Sequence, residues 1–362
     1  MKALVLSKGY PKPDGTHERM FVHVRNLYYK KNGIDVEVIN FDTKEDYEID
    51  GIKVLSLNSY KNSTKNYDVL ISHASNLRNQ YLFLKKYDKK FPKMIFFFHG
   101  HEVLYLRKSY PKPYNYVKNG FFRKSFLQDI YDFIKIKVWR NYFKKNANKS
   151  SFIFVSNWIL NQFKKNLKLD EKDLNNNVYI VNNSIGSAFE NHSWNQESEK
   201  KYDFITIRSH FDGSTYCVDL LRDLANNNSD LKFLLIGKGK FFEYNTKPSN
   251  LEIINKTIDH TEMFKYLDES KCGLLLTRND TQGVMTCEML TYGIPVITSD
   301  IEVCHEFFED KDNVALIDNN NMNIDIKSIR DSLIKKVPFK KETSFFGENT
   351  ISKEVDIIKN QQ

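Results

Sequence analysis

The sequence predicts an α/β protein made of two Rossmann-like domains, each a parallel sheet flanked by helices. Three observations carry that expectation. Short β-rich runs alternate with helical stretches from the start of the chain, and a polar stretch near residue 190 interrupts the rhythm before it restarts. The length of 362 residues is too great for one ordinary core and suits two domains of roughly 150–180 residues each.

The first strand is read at KALVLS, residues 2–7. After it come the turn-rich YPKPDGT, a helix in HERMFVHVRNLYYKKNG closed by Gly33, and a strand in IDVEVINF. Strand, helix and strand in that order form a βαβ unit, which requires a parallel sheet with ligands at the carboxyl ends of its strands. Further strands are expected at IKVLSL and at residues 68–73, 94–99, 151–156 and 178–184. Residues 116–146 read as one long helix, because Phe122, Phe126, Ile130, Phe133, Ile134 and Val138 recur at helical spacing. Arg123, Lys124, Lys135, Lys137, Arg140, Lys144 and Lys145 surround that stripe. Two readings of it stay open: a core-facing helix with a solvated basic face, or a helix lying on an anionic membrane surface.

Residues 190–201, ENHSWNQESEKK, read as a linker. Beyond them the strands are DFITIRS, residues 232–237, LEII, residues 272–277 and PVITS, with helices around VDLLRDLA, HTEMFKYLDES and MTCEMLTYG. No internal repeat of fixed short period is present. Two successive sheets of this kind facing each other place an active site in the cleft between them.

Composition sets the outer limits. Hydrophobic residues at 41% and charged residues at 28% are globular values. The N-terminal apolar run is too short for a signal-peptide core, and no apolar run approaches the ~20 residues of a bilayer span, so a cytoplasmic protein is expected. Cys217, Cys272, Cys287 and Cys304 form no CxxC pair and have no zinc spacing, which reads as reduced thiols. The acidic EDKD run near Asp310 reads as a solvated loop, not a metal site. The formal charge of +8 is uneven: residues 81–150 hold 17 Lys or Arg against 4 Asp or Glu, a local +13 that leaves the rest at −5. Such a block suits an anionic surface or a lipid pyrophosphate. Nucleic acid is not expected, since nothing resembles a recognition helix, an RNP motif or a zinc module.

Residues 278–300, RNDTQGVMTCEMLTYGIPVITSD, are the most informative stretch. They follow a buried strand and open a helix, so the amides of Gly283, Val284 and Met285 point out of a helix N-terminus suited to a phosphate. Asp280 stands in the loop before the helix and Glu288 inside it, where carboxylates accept hydrogen bonds from sugar hydroxyls.

This stretch resembles the signature of glycosyltransferase family 4: an acid, seven residues and a Glu, then a small-x-G-x-P-V-I strand. Here Asp280 and Glu288 are the acids, Thr291 the small residue, and Gly293, Ile294 and Pro295 the G-x-P. The resemblance covers nearly the whole chain. PKPDGTHERM is similar to the family's N-terminal glycine loop, with Gly15 and Thr16 where two glycines are usual. FFFHGHEV ends a strand at His99, VNNSIG resembles the turn before the linker, and SFFGENTISKEVDIIK is similar to the last helix.

The resemblance implies a GT-B fold with an N-terminal acceptor-binding domain at 1–187 and a linker at 188–201. A nucleotide-sugar domain at 202–344 and a final helix at 345–362, crossing back to the N-terminal domain, complete it. It implies retaining transfer from a nucleotide-diphosphate sugar to a hydroxyl acceptor without a metal or other cofactor. In that scheme Glu288 holds the ribose, Asp280 contacts donor-sugar hydroxyls, Arg208 neutralises the diphosphate, and His99 contacts the sugar or acceptor. The implied donor-binding set adds Gly15, Thr16, Tyr216, Lys238, Ile258, Gln282, Gly283, Val284 and Met285. The lysine that usually follows the arginine is missing, with Tyr216 or Ser214 near its place, so the diphosphate is expected to lean on Lys238, Lys240 or the amides around Gly213. A lipid-linked or saccharide acceptor is the expected partner, as in bacterial surface polysaccharide assembly, with an anionic membrane surface at the inner face. The rival reading is a catalytically inactive relative that acts as a partner subunit or sugar-binding module.

Overall fold

In the computed structural model, which describes residues 1–15, 18–117 and 126–360, the apolar runs of the first half become β1 (Lys2–Ser7), β2 (Asp35–Asn40), β3 (Tyr47–Ile49), β4 (Ile52–Leu55), β5 (Val69–His73), β6 (Lys93–Phe98), β7 (Ser150–Phe154) and β8 (Val178–Ile180). They join in the order β3-β4-β2-β1-β5-β6-β7-β8. Every pairing is parallel except the β3–β4 hairpin. The central strands are buried on both faces, which is why they read as continuous rather than alternating apolar runs. β3 is absent from the sequence reading. Its signal is the Asp50–Gly51 pair, both at positive φ (50° and 71°), the turn chemistry of a tight hairpin.

The chain divides into two compact units. The first comprises Met1–Tyr105, Asp129–Ser184 and Gly347–Gln362; the second comprises Leu106–Gln128 and Ile185–Phe346. The expected domains at 1–187 and 202–344 need two adjustments. Residues 106–128 cluster with the second unit, and so does the supposed linker. Trp194 explains the latter, because its backbone N–H donates to Tyr292 O (2.7 Å) and its Nε1 to Leu267 O (3.1 Å).

The Ile351–Asn360 helix lies in the first unit, against the Met20–Lys31 helix. Ile351, Val355 and Ile358 join the core there. Glu354, fully buried, accepts from Arg25 Nε (2.9 Å) and from the Tyr29 hydroxyl, while Arg25 also donates to Asn183 Oδ1 (2.9 Å).

The Phe126–Asn146 helix corrects the sequence reading of 116–146. Tyr116 lies in a turn ahead of it, and Phe122, Arg123 and Lys124 fall outside the described residues. The predicted apolar stripe faces outward: Phe126 is 71% exposed and Phe133 58%, with Ile130 and Ile134 also exposed. The buried face is instead Asp132, Lys135, Ile136, Trp139, Tyr142 and Phe143. Aromatic packing decides this. Trp139 stacks on Phe143 (5.0 Å), and Phe143 meets Phe96, Phe98, Phe152 and Phe163 from the sheet and its neighbouring helix. Lys135, expected at the surface, is buried in an ion pair with Asp132 (2.8 Å) and also donates to the carbonyls of His101 and Leu104.

The second unit holds β9 (Tyr202–His210), β10 (Phe233–Lys238), β11 (Leu251–Ile254), β12 (Ser270–Leu275), β13 (Val296–Ser299) and β14 (Val314–Ile317). They form one parallel sheet in the order β11-β10-β9-β12-β13-β14. Counted within the unit this is the doubly wound order 3-2-1-4-5-6, whose switch point lies between β9 and β12. β14 was not expected from the sequence. The Val284–Tyr292 helix ends at Gly293 (φ 96°), two residues before Pro295, as a left-handed C-cap should.

Candidate active site

Arg208 stands near the end of β9 and spans the switch point. Its guanidinium donates to Leu276 O, just past β12, at 2.7 Å. Its Nε is buried without an acceptor, and no carboxylate among the described residues lies within ion-pair distance. The Tyr216 ring lies under the guanidinium, 5.2 Å from centroid to Cζ. Gly237 makes this approach sterically feasible. It sits at φ +149°, and a Cβ there would lie 1.9 Å from the carbonyl oxygen of Arg208. Gly237 and Gly239 are thus explained by packing against β9 and its following loop. Burial works against the charge on Arg208, and Asp280 is its largest electrostatic support.

Past β12 the chain turns through Asp280 into the helix. One Asp280 oxygen accepts the amides of Thr281 (2.7 Å) and Gln282 (3.3 Å). Gly283 takes the left-handed conformation (φ +76°), and no side chain caps the helix. The first-turn amides therefore remain available to an anion. Glu288 lies one turn further along, half-buried, with no hydrogen-bond or ion-pair partner among the described residues. Desolvation pushes its carboxyl up to about 8. The Cys287 thiol feels both Asp280 and Glu288, and the Cys304 thiol feels both Asp280 and Arg208. Arg208, Asp280 and Glu288 thus share one neighbourhood at the carboxyl ends of β9, β12 and β13. A guanidinium without an ion-pair partner, open helix amides and an unpartnered carboxyl group form a set, among the described residues, able to bind a diphosphate joined to a hydroxyl-bearing ring.

The remaining expected residues divide. Val284 and Met285 are half-buried in the first helical turn. Gln282 is 2% exposed and its side-chain amide turns inward toward Cys287 Sγ, so it supports the loop from behind. Lys238 ends β10, next to β9, with an exposed side chain; Lys240 contributes its backbone N–H to Asp212 (2.8 Å). Ile258 follows β11, two strands away from β9. Gly15 lies in the first unit, in an exposed turn closed by its N–H to Lys12 O (3.2 Å), and Thr16 lies outside the described residues. His99 also belongs to the first unit, at the end of β6, where Glu102 accepts its backbone N–H (2.9 Å).

Two features escaped the sequence reading. Residues 106–117 form a strap on the second unit. Tyr114 donates to Asp219 (2.7 Å) and Tyr116 to Asp212 (2.7 Å), while the Tyr116 ring stacks on Tyr244 at 4.5 Å. Asp219 in turn receives both terminal nitrogens of Arg278 (2.9 and 2.7 Å), and Arg278 donates to Ser214 O (2.8 Å). The strap and the Asp212–Thr215 loop enclose a cavity of about 450 Å³ lined in part by Arg107, Lys112, Ser214 and Thr215. The second feature is His73, at the end of β5 beside His99. DVLISH, read as a parallel strand, already places a histidine at a carboxyl end, the side on which ligands bind.

Residues 206–333 match the family model described as glycosyl transferases group 1. No curated protein matches the chain by sequence. Among solved structures, the chain is similar to sucrose-phosphate synthase from Thermosynechococcus elongatus, with a TM-score of 0.73 at 10% identity over 99% of this chain and 98% of that one. It is similar to WaaG, a glycosyltransferase involved in lipopolysaccharide biosynthesis (0.67, 12%, 99% and 100%), and to a glycosyltransferase from Rickettsia africae (0.66, 13%, 99% and 99%). The architecture is the two-domain α/β GT-B fold. Family match and fold together support glycosyl transfer.

Proposed function

We propose that the chain is a retaining glycosyltransferase that moves a sugar from a nucleotide-diphosphate donor to a hydroxyl acceptor. One observation carries the reading: a partly desolvated guanidinium without an ion-pair partner among the described residues and an uncapped helix N-terminus meet at the switch point of a doubly wound sheet, beside a carboxyl group with no partner among the described residues. Arg208 and the amides of Gly283, Val284 and Met285 take the charge that develops on the departing diphosphate. Glu288 holds the ribose, and Asp280 and His99 contact the transferred sugar or the acceptor. The leaving diphosphate assists deprotonation of the acceptor on the face it departs from, so configuration is retained and no metal enters the scheme. Tyr216 occupies the neighbourhood of the family's missing lysine and supports Arg208 from below. The likeness to WaaG, a glycosyltransferase involved in lipopolysaccharide biosynthesis, favours a lipid-linked or saccharide acceptor at the inner face of a membrane. No described helix is long and apolar enough to cross a bilayer. The outward stripe of the Phe126–Asn146 helix, beside exposed Lys137, Arg140, Lys144 and Lys145, suits attachment to an anionic surface.

The experiment is a thermal-shift panel of uridine, guanosine and adenosine diphosphates, followed by transfer and donor-hydrolysis assays on the purified chain. A nucleotide at a hundredfold its Kd stabilises by about 2.7 kcal/mol. Arg208→Ala is expected to lower kcat by roughly 10²–10³, the usual cost of one lost charge-stabilising donor. Nucleotide binding without turnover would turn the reading to an inactive partner subunit, and unchanged turnover in Arg208→Ala and Glu288→Ala would overturn the site.

A further inference from the structure

The parallel pairing of β5 with β6 brings the ring of His73 to that of His99, with His73 Nδ1 3.2 Å from His99 Nε2. Aromatic neighbours hold both rings. His73 is stacked on Phe97 at 4.3 Å, and Phe21 packs on His99 at 4.6 Å. Glu102 fixes the turn by accepting the amides of His99 (2.9 Å) and Gly100 (2.7 Å). Burial, together with the positive charges of Arg19 and Arg25, keeps both imidazoles neutral at pH 7.

Two neutral rings that share one hydrogen bond have two proton arrangements. If His99 Nε2–H donated, His73 would carry its own proton on Nε2. That nitrogen is buried, in a residue only 1% exposed, and has no partner among the described residues. A buried N–H without an acceptor is rarer in folded proteins than an acceptor left short of a donor. The opposite arrangement leaves only a bare ring lone pair there.

The geometry points to His73 as the positioning residue for His99. Its Nδ1–H donates to His99 Nε2, fixes the His99 ring and places the His99 proton on Nδ1. His99 therefore presents an N–H donor to an oxygen of its ligand and is not a base. The tautomer follows from the two rings alone, whereas the ligand, a sugar or acceptor hydroxyl, rests on the glycosyl-transfer reading.

The test uses full-length protein with ¹⁵N-labelled histidine and long-range ¹H–¹⁵N correlation, with His99 assigned through His99→Gln. The expected wild-type spectrum shows neutral His99 protonated at Nδ1. His73→Asn keeps a donor near the original Nδ1 and should keep that tautomer. His73→Asp offers only an acceptor and should move the His99 proton to Nε2. In transfer assays His73→Asn is expected within about threefold of wild type, and His73→Asp at least tenfold lower in kcat/KM, with nucleoside diphosphate affinity unchanged in both. A wild-type His99 protonated at Nε2 overturns the proposal, as does wild-type kcat/KM in a folded His73→Asp. Should the chain transfer no sugar at all, the spectrum still decides the tautomer, so failure of the function and failure of this inference are separate results.

Discussion

Glu288, the proposed ribose contact, shows how such a residue can oppose the fold that carries it. Its carboxyl is raised to about 8 by desolvation, whereas an unfolded chain holds it near 4.5. A raised acid binds its proton more tightly in the folded state, so stability falls as pH climbs from the unfolded value through about 8. Glu288→Gln removes that cost and is expected to raise Tm by about 2–4 °C at pH 8, the scale of ~1 kcal/mol in a domain of this size. The same substitution should abolish nucleotide-dependent turnover. A second consequence follows from the proposed ribose contact. Hydroxyls that donate to the carboxylate favour its ionised form, so nucleotide binding at pH 7 should release a proton and tighten as pH rises. Calorimetry in two buffers of different ionisation enthalpy reads this directly, and Glu288→Gln should release none. Arg208, Asp280 and Glu288 came from the family resemblance, and the structure puts them near the end of a strand, in a loop and one turn into a helix. His73 was not legible in the sequence, since its meaning lies in a partner 26 residues away. The inward turn of Gln282 was hidden as well, because loop sequence does not fix which side chain folds under.

At the scale of elements, regular alternation was easy to read and two-faced elements were not. Most central strands fell within a residue or two of their expected positions, while β3 and β14 are three and four residues long and lie at sheet edges. The Phe126–Asn146 helix carries apolar residues on both sides, so periodicity alone could not choose the buried one; Trp139, Tyr142 and Phe143 won through their sheet partners. The outward stripe is therefore the feature to test. Phe133→Glu with Ile134→Glu should leave Tm unchanged, because both side chains are exposed, and weaken co-sedimentation with phosphatidylglycerol-rich vesicles at least about tenfold, given ~1.5–3 kcal/mol per buried apolar side chain. Equal sedimentation of the double variant would remove the membrane from the account. The 106–117 strap belongs to this scale too, since its tyrosines reach Asp212 and Asp219 about a hundred residues on. Tyr114→Phe deletes one hydrogen bond to a carboxylate that also holds Arg278, two residues before Asp280. Such a bond is worth ~1.5–3 kcal/mol, and part of that should appear as three- to tenfold weaker nucleotide binding by calorimetry. Unchanged affinity would mean that the loop is set without the strap.

For the molecule as a whole, two α/β units in succession were visible in the restart of the strand–helix rhythm, but their exact membership was not. Leu106–Gln128 leaves the first half to join the second unit, whereas the last helix joins the first, as the family resemblance implied. The return of that helix rests on its apolar contacts to the core and on one buried polar cluster, Arg25 and Tyr29 from one helix and Glu354 from the other, with Asn183 among the guanidinium's partners. Removing one member of a buried pair leaves the other charged without compensation, which typically costs 3–5 kcal/mol, whereas replacing both by apolar residues is often neutral. Glu354→Ala should therefore destabilise the first unit by about that amount and leave the second unit intact. Unfolding in urea should then split into two phases. Trp139 and Trp158 report the first unit and Trp194 the second, so Trp139→Phe/Trp158→Phe and Trp194→Phe backgrounds separate the phases by fluorescence. In Arg25→Met/Glu354→Met the early phase should move back toward the wild-type midpoint. If Glu354→Ala instead shifts both units together, the C-terminal helix holds more than the first unit, and the division of stability argued from the Arg25–Glu354 cluster is wrong.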